Sequence, residues 1–195
     1  METETHPLSP FVSSGTKVLM AGTFPPKRHR WSMEWFYPNY QNDMWRIWGY
    51  IYKGDKNYFV DLENKRFDKE KIVDFCSKIG LGLCDTGKEV LRLKDNASDK
   101  FLQIVRPFDL DALLELAPSC EAIAVTGELA GETLCGIIGC EPLKIGEPLD
   151  VDYQGRHLRL WRMPSSSRAY PKSIEWKADY YRRLFPAMND SLSSH

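Results

Sequence analysis

Residues 22–41 read GTFPPKRHRWSMEWFYPNYQ, the most unusual stretch of the chain. Gly22 followed by Pro25 and Pro26 turns the backbone sharply and leaves the amides of Thr23 and Phe24 free to face a ligand. Six aromatic residues fall within seventeen positions: Phe24, Trp31, Trp35, Phe36, Tyr37 and Tyr40. They are interleaved with Lys27, Arg28, His29 and Arg30. Aromatic faces set among cations are what stacking on bases and contacting phosphates requires. Phe24, Phe36 and Tyr37 are read as ligand-facing, whereas Trp45 and Trp48, further along, read as core. Asn42 suits two roles: an N-cap, or an amide that orients a water by accepting and donating at once.

A second stretch, RMPSSSRAYP at 162–171, offers a different chemistry. Pro164 halts a strand, Ser165, Ser166 and Ser167 supply hydroxyls and amides, and a basic segment that includes Lys172 follows. Hydroxyls and amides at a helix N-terminus form an anion site suited to a DNA phosphate, and Arg168 at the loop tip can project into a duplex. Ser-rich turns also serve as helix caps.

The elements that must position these residues are legible in outline. The apolar runs VLMA at 18–21 and AIAV at 122–125 stop at glycine or at Thr-Gly, and the run at 157–163 stops at proline. A shorter run, LGLC at 81–84, ends at Asp85. Runs of this kind fit parallel strands covered on both faces. Helices are predicted over 42–52, 68–79, 109–116, 128–138 and 174–184, with Asp68 and Asp109 as N-caps. Strands alternating with helices imply an α/β fold, a three-layer α/β/α sandwich around a mainly parallel sheet of about four strands. Ligands in such sheets sit beyond the carboxyl ends of the strands, which directs attention to 22–41, 85–99, 126–128 and 164–172. Asp85 lies on that side.

Composition narrows the classes. The 195 residues carry 26 basic and 27 acidic side chains, a net charge of −1, so overall charge cannot hold a polyanion. Charge is uneven, however: residues 156–183 hold eight basic residues against two acids, and 109–152 hold ten acids against Lys144. That pattern predicts a molecule with one basic face. The five cysteines form no Cys-x-x-Cys, which argues against a disulfide framework or a metal cluster. No apolar run nears the roughly 18 residues of a membrane span, and METETHPLSP is not built as a secretory signal. An intracellular protein is expected, with loose ends at 1–15 and 189–195 and one domain over 16–188.

Taken together, these stretches resemble the uracil-DNA glycosylase superfamily, in particular its mismatch-specific thymine/uracil branch and its hypoxanthine-DNA glycosylase-like branch. GTFPP is similar to that superfamily's first motif. FYPNYQNDMW is similar to the stretch that follows it in the hypoxanthine branch, and MPSSSRAYP to the second motif of the thymine/uracil branch. The resemblance implies an enzyme that flips a nucleotide out of duplex DNA and hydrolyses the bond between base and sugar, without cofactor or metal. It implies a base pocket of Gly22, Thr23, Phe24, Pro25, Phe36 and Tyr37, with Phe24 or Tyr37 as the stacking ring. DNA contacts would come from Met163, Pro164, Ser165, Ser166, Ser167, Arg168 and Lys172, Arg168 being the wedge that fills the vacated stack. Thr23 and Phe24 stand where other branches carry the catalytic Asn or Asp. Asn42 matches the catalytic position of the hypoxanthine branch and becomes the first candidate to orient water, ahead of Asp43 and Asp85. No lysine matches a catalytic position, which favours a monofunctional enzyme acting as a monomer on a deaminated or mismatched base. The rival readings are a silent DNA-binding module and a hydrolase of free nucleosides or nucleotides. The polar turn Asn96–Asp99 could line the pocket, with capping the preferred role.

Overall fold

The computed structural model describes residues 2–94 and 99–188. It has ten strands: β1 (Thr3–Thr5), β2 (Val18–Gly22), β3 (Val60–Asp61), β4 (Arg66–Phe67), β5 (Leu81–Asp85), β6 (Gly87–Arg92), β7 (Leu102–Pro107), β8 (Ala122–Thr126), β9 (Leu149–Tyr153) and β10 (Arg156–Met163). Its α-helices are α1 (Met44–Lys53), α2 (Lys69–Ile79), α3 (Leu110–Leu116), α4 (Glu128–Ile138) and α5 (Ile174–Tyr181).

The central sheet runs β5-β2-β8-β10-β9, with the first four strands parallel and β9 antiparallel on the edge. Every residue of β2 and β8 is buried, as continuous apolar runs require in strands covered on both sides. Alternate side chains feed two cores. Met20, Leu83, Ala124 and Met163 pack toward α1, α2 and α5 among Trp45, Trp48, Phe75 and Tyr181. Leu19, Cys84, Ile123 and Leu160 pack on the other face toward α3 and α4. The result is the α/β/α sandwich expected, with four parallel strands as its spine. Asp68 and Asp109 cap their helices as predicted, accepting from Lys71 N at 3.2 Å and Ala112 N at 3.0 Å.

Two features differ from the sequence reading. Residues 3–11 are held to the fold and are not a loose end. β1 pairs antiparallel with β6, Arg92 donates twice to Glu4 at 2.9 and 3.0 Å, and Phe11 exchanges backbone hydrogen bonds with Leu83 at 2.8 and 2.9 Å. Partners distant in sequence, not local composition, order this arm. The segment after β5 is not simply a loop either: β6 and β7 form with β1 a second, antiparallel sheet. The tail at 189–195 and residues Asn96, Ala97 and Ser98 lie outside the described residues.

Candidate active site

A cleft of about 810 Å³ opens where β2, β5, β8 and β10 end, a volume within the usual range for a small-molecule site. It is lined from all four strand ends, by the loop after β2, Asp85, Thr126–Glu128 and the loop after β10. Asp99, at the turn before β7, closes it.

Gly22 is required by close approach. A Cβ there would lie 2.6 Å from Asp85 Oδ1 and 3.2 Å from the Tyr37 hydroxyl. Beyond it, Gly87 N donates to Thr23 O at 2.9 Å, and Arg92 donates to Pro25 O at 3.0 Å, which ties the loop to the second sheet. Phe24 is half-buried in the cleft wall. Tyr37 holds a left-handed backbone, φ 50°, and its hydroxyl pairs with Thr126 Oγ1 at 3.0 Å. Burial, then the nearby Asp85 charge, pushes the Tyr37 phenol well up, so it stays neutral. Phe36 is not in the pocket: it is 2% exposed, its carbonyl accepts from Trp45 Nε1 at 3.0 Å, and its ring packs on Trp35. The β2 loop buries one of its neighbouring aromatics in the core to hold the next in the wall.

The loop after β10 is knitted to the start of α1. Asn42 bridges to Ser167, and Asp43 N donates to Ser166 O at 2.8 Å. Ser165 Oγ accepts from Ser167 N at 3.1 Å and Ser167 Oγ from Ala169 N at 3.2 Å, which leaves each hydroxyl proton to point elsewhere. Met163 and Pro164 are buried beneath this loop, and Lys172 sits outside the cleft with its ammonium over Trp176. Arg168 lies across the cleft edge rather than projecting, donating to Gln41 Oε1 at 2.7 Å.

The three candidate catalytic residues part company here. Asn42 lines the cleft one position before Asp43, the N-cap of α1, and its Oδ1 accepts from Met44 N at 2.9 Å. Asp43 is behind the wall, 5% exposed, paired with Lys177 at 3.6 Å and Arg168 at 3.4 Å. Burial pushes the Lys177 amine down, and Asp43 offsets part of that. Asp85 faces the cleft from the end of β5, with Oδ2 2.7 Å from His6 Nε2. A second carboxyl, Asp99, accepts from Thr23 Oγ1 at 2.8 Å. Burial pushes it up, and the Thr23 hydrogen bond opposes this. Gly127, at φ 101°, admits it, for a Cβ there would lie 2.9 Å from Asp99 Oδ2.

The sequence reading gave no site role to His6, Thr126, Arg30 or Tyr170, and preferred capping over pocket lining for Asp99. Thr126 and Arg30 fall inside segments it singled out. Nothing in the spacing of His6 links it to Asp85, 79 positions away. Part of the predicted basic segment is engaged within the fold. Arg156 donates to Leu114 O at 2.6 Å and Ala117 O at 2.8 Å, Arg159 pairs with Asp150 at 2.7 Å, and Lys177 is buried. Arg30 and Arg168 are the cations on the cleft lining. No group of three or more metal-ligating side chains occurs among the described residues, and no helix among them is long and apolar enough to cross a membrane.

The sequence matches no protein-family model and no curated protein. In fold, the chain is similar to a protein from Methanosarcina acetivorans solved by NMR and described as a "putative Uracil DNA glycosylase". The TM-score is 0.57 at 23% identity, over 94% of this chain and 99% of that one. The fold is thus the mixed α/β type of that protein, with a mostly parallel central sheet.

Proposed function

We propose that the protein is a monofunctional DNA glycosylase that hydrolyses the bond between a deaminated or mismatched base and its deoxyribose. The observation that carries this reading is the meeting, in one cleft, of the loop 22–41, the serine loop after β10 and the buried carboxylate Asp85. The fold likeness supports it. The ring of Phe24 or Tyr37 stacks on the flipped base, while the backbone of Thr23 and Phe24 contacts its edge. Ser165 and Ser167 donate their free hydroxyl protons to phosphates beside the flipped nucleotide. Arg168 releases Gln41 to fill the space the base leaves.

The chemistry is dissociative. The C1′–N bond breaks with its electron pair leaving on the base, water attacks C1′, and the water's proton passes to the Asp85 carboxylate. That proton then passes through solvent to the departing base anion, so that a free base and an abasic sugar result and Asp85 is ionised again. Asp85 serves as base because its carboxylate is nearly enclosed, 9% exposed, yet faces the cleft. Asn42 stands in the same lining, where its amide orients the water.

The test is single-turnover cleavage of duplexes carrying uracil, hypoxanthine or thymine opposite guanine, with alkali to reveal abasic sites. Cleavage of one base by the unmutated protein is expected, together with its loss in Asp85→Asn and in Asn42→Ala. Salt-sensitive duplex binding without cleavage of any base would assign a binding module instead. Hydrolysis of free nucleosides at the same rate as duplex would remove DNA from the reading.

A further inference from the structure

The N-terminal arm delivers one ring behind the cleft lining, against Asp85. After β1 pairs with β6, His6 N donates to Lys88 O at 2.9 Å, and the side chain turns toward the end of β5. There the imidazole meets Phe24 edge-on at 5.2 Å and Phe36 at 6.2 Å, and its Nε2 lies 2.7 Å from Asp85 Oδ2. Both side chains are 9% exposed. On the other side of the ring, Nδ1 is 3.0 Å from Leu8 O and 3.2 Å from Leu8 N. The doubly protonated ring donates to Asp85 and to Leu8 O together. The neutral ring that carries its proton on Nε2 donates to Asp85 and accepts from Leu8 N–H. In either form the carboxylate receives the bond.

The two oxygens of Asp85 therefore have different neighbours. Oδ2 takes the imidazole, while Oδ1 is directed at the space over Gly22 and the Tyr37 hydroxyl. A carboxylate so enclosed calls for a hydrogen-bonding partner. Among the described residues, Tyr37, Cys84 and Asp99 also face it, and these three supply no positive charge.

We propose that His6 is a positioning residue for the reaction in this cleft, holding Asp85 so that Oδ1 meets the attacking water, and that the N-terminal arm is thereby part of the active site. The proposal rests on the glycosylase reading above. It extends that reading to a residue outside every segment that the sequence motifs mark. Burial lowers the affinity of the His6 ring for its proton, but the hydrogen bond and charge of Asp85 outweigh this and raise its pKa above 6.5. Because the neutral ring still donates to Asp85, the rate of the unmutated protein should persist above pH 6.5 with only a small inflection where His6 loses its charge.

The experiment measures single-turnover rate against pH for the full chain, His6→Ala and His6→Gln, with duplex affinity and the melting temperature of each. His6→Ala is expected to lower the rate at least about tenfold with affinity unchanged. His6→Gln keeps a donor for Asp85, so it should recover most of that rate and lose the inflection. A folded His6→Ala with a rate within about twofold of the unmutated protein and the same inflection overturns the proposal alone, leaving His6 a fastener of the arm. If His6→Ala melts below the assay temperature, His6→Gln decides: an inflection retained there overturns the proposal, and one lost supports it. Absence of cleavage by the unmutated protein overturns both this proposal and the reading beneath it.

Discussion

The central sheet has a cleft at each end, and the two differ in kind more than in size. The one at the carboxyl ends holds about 810 Å³; the one at the amino ends, beside Lys17, Ala122, Arg159 and Phe185, holds about 730 Å³. At the amino end the charges are open to water and paired with their own neighbours. Arg159 meets Asp150 at 2.7 Å with both about half exposed, and His157 meets Asp152 at 3.1 Å with both largely exposed. Pairs of that sort contribute little and pull no ligand. At the carboxyl end the polar groups are enclosed: His6 against Asp85, Thr23 against Asp99, and Asp43 against Lys177 behind the wall. Volume does not distinguish a site from a crevice. Buried polar groups turned toward the opening do, because there each interaction acts in a low dielectric.

The comparison can be broken at several points. The largest effect is expected from Asp85→Asn, which should lower single-turnover cleavage by about 10²–10⁴-fold while Arg159→Ala at the other cleft leaves the rate unchanged. Asp43→Ala should destabilise the fold by about 3–5 kcal/mol in urea denaturation, because it takes the carboxylate from the Lys177 ammonium, whose side chain is 0% exposed, and leaves it the Ser167 carbonyl. Gly22→Ala should cost about 1–3 kcal/mol in the same measurement and slow the reaction, since the new methyl falls on Asp85 Oδ1. A smaller effect concerns pH. The His6 pKa is raised by folding, so its contribution to stability is fully present below about pH 6.5 and fades as pH rises through the folded-state value. The stability gap between the unmutated protein and His6→Gln should therefore narrow from pH 6 to pH 8.5 in urea titrations. His157→Gln, at the exposed pair, should leave the denaturation midpoint unmoved at every pH.

How much of this was legible before folding differs by element. The four parallel strands were readable because burial on both faces demands uninterrupted apolar runs, and VLMA and AIAV have no other plausible place. The loops at their ends were readable because Gly22 and Pro164 interrupt those runs. The second sheet was not, because β6 and β7 are half-exposed, with mixed composition and a register shift near Glu89. Nor was the docking of the arm. TETH carries no apolar pattern and gains its order from Arg92 and Asp85, more than seventy positions distant. Phe36 and Tyr37 make the point at its smallest scale: both are aromatic and adjacent, yet one faces the core and its neighbour the cleft.

By itself, then, the sequence determined the class of the fold, the end of the sheet where a ligand would sit, and two loops that would meet it. Those properties follow from local rules: apolar runs, glycine and proline breaks, and the direction of parallel strands. Tertiary structure alone decided which carboxylates are enclosed, which cations remain at the cleft, and which imidazole backs Asp85. These depend on contacts between residues far apart in the chain, where burial strengthens a pairing that local sequence does not encode.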